Sequence, residues 1–223
     1  MRRLAGMTSD TRGLRVDAER NRQRILAAAR QAFAELGLDV PLEEIARRAE
    51  VGIGTLYRRY PTRAELVAAA FESKMADYAD AAEQALAHPD PWAGFCDYVE
   101  RVFEMQAGDR GFTTVLTLTF PTAKRFEAAR DRAYADFVTL IERAKAAGKL
   151  RDDFVAQDLP LFLMANAGVL SATTEAAPDS WRRLVGYLLQ ACAARAAQPL
   201  PEPPEPRQVY RAMLRSARRQ PSR

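Results

Sequence analysis

The sequence predicts an all-α protein, a small N-terminal three-helix head on a larger helical body, and three observations carry that prediction. Apolar residues recur at helical spacing along most of the chain. Alanine is abundant and glycine sparse within the periodic stretches, which favours helix. Charge is partitioned: residues 1–63 carry thirteen arginines against eight acids, residues 64–205 are net −7, and residues 206–223 carry six arginines and no acid.

Residues 1–18 mix Arg, Gly, Ser and Asp without a period and are expected to form a flexible basic arm. A first helix is expected over 19–36, with Ile25, Ala29, Phe33 and Leu36 on one face and Gly37 placed to stop it. Pro41 is expected to open a second, short helix, where its missing N–H costs nothing. Glu43 and Glu44 fall in its first turn, and Ile45 and Ala49 face inward. A turn at Glu50-Val51-Gly52 leads to a third short helix over Ile53 to Tyr60, closed by Pro61. Thr62 is expected to cap a long helix from Arg63 to about Ala87.

In the body, His88-Pro89-Asp90-Pro91 reads as a loop, and a helix follows with Trp92, Phe95, Val99, Val102 and Phe103 on one face. Gly108 to Gly111 interrupts it. Phe112 to Phe120 alternates like a strand, but a lone strand has no partner here, so a short buried helix is favoured. Thr122 is expected to cap a helix ending near Gly148, with Phe126, Ala129, Ala133, Phe137, Leu140, Ile141 and Ala144 inside. Two Ala- and Leu-rich helices follow near 156–173 and 179–197. Residues 199–206 form a stiff proline linker, and Val209 and Met213 mark one face of a helix in the basic tail.

Cys96 and Cys192 are far apart in sequence and read as small core residues, with no disulfide or metal pattern. His88 is the single histidine and reads as a solvated loop residue, not a general base, and no nucleophile motif accompanies it. Gly52-x-Gly54 lacks the third glycine and preceding strand of a nucleotide fingerprint. No cofactor is implied. No apolar run reaches membrane-spanning length and the N-terminus lacks a signal-peptide core, so a cytoplasmic protein is expected.

Three short helices, the last two joined by a tight turn, make residues 19–63 a helix-turn-helix candidate. Gly52, Gly54 and Thr55 let the backbone approach a groove. Leu56 points inward, Tyr57 can donate its O–H to a phosphate, and Arg58 and Arg59 supply charge. Residues 20–66 resemble the head of the tetracycline-repressor (TetR) family. The match runs through Phe33-Ala34-Glu35-Leu36-Gly37, Leu42-Glu43-Glu44-Ile45-Ala46 and Val51 to Leu66, about a fifth of the chain.

The resemblance implies a dimeric transcriptional regulator, a repressor released from a double-stranded DNA operator by a small, mostly apolar effector. Carried over by position, Thr55, Tyr57, Arg59 and Arg63 fall where the family grips phosphates, and Ile53, Gly54 and Arg58 where it faces bases. Three positions depart from the pattern. Glu50 stands where glycine is usual, which costs ~1 kcal/mol if φ is positive there. Gly52 replaces a Ser or Thr cap, and Pro41 replaces a Thr cap.

The resemblance also places a ligand pocket and dimer surface in residues 64–198. Pocket candidates are Trp92, Phe95, Phe103, Met105, Phe112, Leu116, Phe120, Phe126, Tyr134, Phe137 and Met164, for most of which ordinary core packing is the competing role. Asn166, polar in an apolar helix, either orients a ligand or bonds across the dimer. Small residues such as Ala165, Gly168, Ala172, Gly186 and Ala191 allow close helix approach between subunits. The rival is a small helical enzyme or ligand-carrier with an incidental basic head. The arm, through Arg2, Arg3, Arg12 and Arg15, and the tail over 206–223 either add DNA contacts or are solvated ends.

Overall fold

The computed structural model describes residues 7–116, 120, 122–173, 175–196 and 198–218, with side chains described from residue 16 to residue 212 apart from 110 and 196. Among the described residues the elements are α1 (Met7–Leu36), α2 (Leu42–Arg48), α3 (Ile53–Arg59), α4 (Arg63–Ala87), α5 (Pro91–Gly108), α6 (Arg110–Val115), α7 (Lys124–Ala146), α8 (Asp158–Thr173), α9 (Ser180–Cys192) and α10 (Pro206–Arg218), with one 3₁₀ turn at Ala194–Ala196. The expected all-α class holds. The chain divides into two compact units, one running to Phe71 and the other beginning at Glu72.

In the first unit, Ile25, Ala29 and Phe33 of α1, Ile45 of α2, Leu56 of α3 and Leu66 of α4 are all buried to within 1%. Phe33 and Phe71 stack with centroids 6.1 Å apart. Gly37 takes φ 81° and its N–H donates to the Phe33 carbonyl at 3.1 Å, which stops α1 as expected. Thr62 caps α4 through the Glu65 N–H at 3.2 Å.

Two expectations for this unit change. The first helix begins at Met7, so 7–18, expected as an arm, are helical, while residues 1–6 lie outside the described residues. Residues 16–18 are exposed, and a helix needs no apolar period where it covers no core. Pro41 sits at the N-cap of α2, where the family resemblance places a Thr cap, and not in the first turn, with φ −55° and ψ 136°.

In the second unit the core gathers on α5. Phe95 packs edge-on to Phe154 at 5.3 Å and stacks on Phe137 at 6.2 Å, and Tyr98 lies 5.1 Å from Phe137. Val102, Phe103, Leu140, Leu159, Trp181 and Val185 complete the cluster from α5, α7, α8 and α9. Asp90 caps α5 by accepting from the Trp92 N–H at 2.8 Å, with Pro91 in the first turn. Asp109 accepts from the Phe112 N–H at 3.2 Å and pairs with Lys74 at 2.8 Å, which separates α5 from α6.

The favoured buried helix is present as α6, with Phe112 and Val115 fully buried; residues 117–119 of the alternating stretch lie outside the described residues. Thr122 does not cap α7. Ala123 takes that position, and the Glu127 carboxylate reaches back to accept from the Phe120 N–H at 2.6 Å. α9 ends at Cys192, five residues before the expected stop, because Leu150 and Ala193 form a bridge and the Arg151 N–H donates to the Cys192 carbonyl at 2.9 Å. The helix expected in the tail is α10; Val209 is buried and α10 packs on α8.

Candidate nucleic-acid interface

The α3 sequence sorts itself into rows four residues apart, one turn of helix each. The row Leu56 and Tyr60 is buried and pins the helix to the first unit, with Leu56 fully enclosed. The remaining rows, Ile53 with Tyr57, Gly54 with Arg58, and Thr55 with Arg59, leave the core. Ile53 is 37% and Tyr57 44% exposed, Gly54, Arg58 and Arg59 are exposed, and Thr55 is half-buried. A helix seven residues long thus offers a hydroxyl, a phenol, two guanidiniums and an uncluttered glycine around the surface left by its one buried row. A Cβ added at Gly54 meets nothing within 4 Å, so the small residue leaves room for an approaching surface and fills no internal need.

Arg63 differs from the other six candidates. It is half-buried, and its Nη1 donates to the Leu38 carbonyl at 2.8 Å and to the Val40 carbonyl. One edge of its guanidinium therefore ties the α1–α2 loop to the start of α4. Tyr60 lies inside the unit and not on the α3 surface.

The turn before α3 carries the departures noted in sequence. Glu50 adopts φ 53°, the left-handed region that a glycine would occupy without strain. Gly52 is the N-cap of α3 and provides no side-chain bond. The turn is held instead from α1, by Arg24, which sequence reasoning did not single out; i→i+26 contacts leave no local signal. Ion pairs dress the flanks: Arg48 bonds Glu35 at 2.5 Å and Glu44 at 2.8 Å. Hydrogen bonds from Arg47 and Arg48 hold the Glu44 carboxyl down at about 2. Hydrogen bonds from Gln23 and Arg22, with the charges of Arg22 and Arg59, lower the Glu19 carboxyl, so Arg59 of α3 has an α1 carboxylate in its vicinity.

In the body, the structure brings most pocket candidates together as packed core. Trp92, Phe95, Phe103, Leu116 and Phe137 belong to one cluster, Phe112 lies 6.4 Å from Tyr78, and Phe120 meets Phe126 edge-on at 5.1 Å. Met105 and Met164 are half-buried, and Tyr134 is 56% exposed. Asn166 is fully buried and bonds within the chain: its Nδ2 donates to Gln106 Oε1 at 2.7 Å, and Gln106 Nε2 donates to the Leu163 carbonyl at 2.8 Å. Gln106, which sequence reasoning missed, is equally buried. Among the described residues, Asn166 Oδ1 and Arg130 Nε have no hydrogen-bond partner. A surface groove of 360 Å³ runs between α5 and α9 past Asp97, Glu100, Glu104 and Trp181, apart from the pocket candidates.

The family model for bacterial regulatory proteins of the tetR family matches residues 25–70, which contain α2, α3 and the Glu50 turn. A TetR transcriptional regulator of Streptomyces coelicolor is 30% identical over 77% of this chain and 98% of its own, with a TM-score of 0.48. A TetR transcription regulatory protein of Mycobacterium vanbaalenii is 31% identical over 81% and 99%, with a TM-score of 0.46. The regulator FadR of Bacillus subtilis, solved with stearoyl-CoA, is 15% identical over 76% and 96%, with a TM-score of 0.59, a likeness of fold. No curated protein matches the chain. With two relatives at 30% identity or above aligned over nearly their whole length, and a head that matches the family model, the chain belongs to the TetR family of DNA-binding transcriptional regulators.

Proposed function

We propose that this regulator is a cytoplasmic homodimeric repressor that binds an operator through α3 and leaves it when a small, mostly apolar effector enters the body. The observation that carries the reading is the exposed side of α3, where three i,i+4 rows present Ile53, Gly54, Thr55, Tyr57, Arg58 and Arg59 while Leu56 anchors the helix. Thr55, Tyr57 and Arg59 hold phosphates, joined by the N–H groups of Arg63 not spent on the α1–α2 loop. Ile53, Gly54 and Arg58 face base edges; an arginine there reads guanine through two parallel hydrogen bonds.

The dimer reading is supported by α8 and α9. Leu161 and Tyr187 are 37% and 57% exposed, and Ala165, Gly168, Ala172 and Ala191 are exposed beside them. Added Cβ atoms at Gly168 and Gly186 meet nothing within 4 Å in one chain, so their small size fits the approach of a second chain. For the effector, support comes from the buried Asn166 Oδ1, which has no hydrogen-bond partner among the described residues. The Bacillus subtilis FadR structure carries an acyl ligand on a fold of this kind. An effector releases the operator only by binding the two states of the dimer unequally.

A gel-shift titration against DNA beside the protein's own gene, repeated across salt, tests the reading. Binding that weakens steeply with salt is expected, because phosphate contacts release counterions. Absent binding, or binding flat in salt, contradicts it.

A further inference from the structure

We propose that α10 is a second DNA contact, a row of arginines that grips duplex phosphates without reading sequence. This rests on DNA binding by the head. Arg207, Arg211, Arg215 and Arg218 follow one another at steps of four, four and three residues, so they share one row along the helix. Val209 is on the opposite side, 5% exposed, and α10 packs on α8. Arg207 and Arg211 are exposed, and among the described residues neither forms an ion pair; Arg211 Nε donates to the Arg207 carbonyl at 3.3 Å.

The helix is held in place from its N-terminal side. Arg151, itself 5% exposed, donates through Nη2 to the Gln198 carbonyl at 2.6 Å, and Asp153 accepts from the Leu200 N–H at 3.1 Å. Five prolines between residues 199 and 206 then stiffen the run into α10. The start of α10, with exposed Arg207 and Arg211, is therefore anchored to the body. It sits on a segment that carries six arginines and no acid, attached to a body of net −7.

Two polyanions could meet such a row. A helix that lies on a lipid surface buries its apolar side among acyl chains. In α10, Val209 is buried and the helix packs on α8, so this apolar side chain is already covered within the chain. The eleven-residue span from Arg207 to Arg218 is about 16 Å at 1.5 Å per residue, the axial length of about five phosphates on one DNA strand. Charge complementarity, in a chain whose head belongs to a DNA-binding family, favours DNA.

The test uses the full-length protein and an R207Q/R211Q/R215Q/R218Q variant, whose glutamines keep helix propensity, with circular dichroism as a check on folding. Each is titrated with the DNA flanking the gene and with unrelated DNA across salt. The variant is expected to show a slope of log affinity on log salt shallower by about 3–4 per engaged α10, on both DNAs and with an unchanged ratio between them. A slope within about one unit of the intact protein overturns the proposal and leaves the head's role standing. If the intact protein binds neither DNA, the head reading fails and this one with it. Binding to phosphatidylglycerol vesicles that the variant loses, with DNA slopes unchanged, overturns the proposal in favour of a lipid surface.

Discussion

Arg24 of α1 donates through Nη2 to the backbone carbonyl of Glu50 at 3.2 Å, and its Nη1 stands 3.6 Å from the Glu50 carboxylate. A single side chain from the first helix thus holds the strained turn that aims α3. The ion pair is exposed on both sides, at 49% and 82%, and contributes little by itself. The bond to the carbonyl does not depend on which residue stands at position 50.

Glu50→Gly is therefore expected to stabilise the protein by about 0.5–1 kcal/mol, since relief of the left-handed strain exceeds the loss of a weak ion pair. Thermal denaturation checks it; an unchanged or lower midpoint would show that the carboxylate does more than the exposed geometry indicates.

The strain at Glu50 was foreshadowed by the family resemblance, which puts a glycine at that turn position, and φ there is indeed positive. The buried and exposed rows of α3 were equally legible from Leu56, Tyr57 and Arg58. Contacts remote in sequence were not: Arg24 on Glu50, Arg63 on Leu38, and Gln106 with Asn166 are separated by 25 residues or more and leave no local pattern. Nor could periodicity separate a pocket lining from a core, since Phe95 and Phe137 would have the same spacing in either role.

Gly94 of α5 lies tight against the C-terminal end of α4. A Cβ there would collide with the Ala85 carbonyl oxygen and stand 3.1 Å from His88 Cβ. The first neighbour is backbone and cannot swing aside. Gly94→Ala is expected to cost about 1–3 kcal/mol, read as a lower urea midpoint.

Acid should loosen both units over one range. The bond from Arg151, then the Leu200 N–H, holds the Asp153 carboxyl at about 2 against an ordinary 3.8, and Arg47 and Arg48 hold Glu44 at about 2 against 4.5. A carboxyl lowered in the fold supplies stability that is complete above its unfolded value and is lost as pH falls toward its folded one. The melting temperature is expected to fall between about pH 4.5 and pH 2. Asp153→Asn should melt lower at pH 7 and lose less on acidification, because it strips the ion partner from a buried arginine. Equal acid slopes for the two proteins would contradict the assignment.

If α8 and α9 form the dimer surface, Gly168→Arg should yield monomer in sedimentation velocity while helix content by circular dichroism stays unchanged. The added side chain has open space in one chain and none against a second. A dimer that survives the change would place the interface elsewhere.

The most direct test of α3 as the reading helix is a titration of Arg58→Ala and Tyr57→Ala, by fluorescence anisotropy, against the operator and its single-base variants. Tyr57→Ala should weaken every sequence by a similar factor. Arg58→Ala should weaken the operator by about 1–3 kcal/mol and flatten the preference at one base position. Unchanged affinity and unchanged preference in Arg58→Ala would contradict the account.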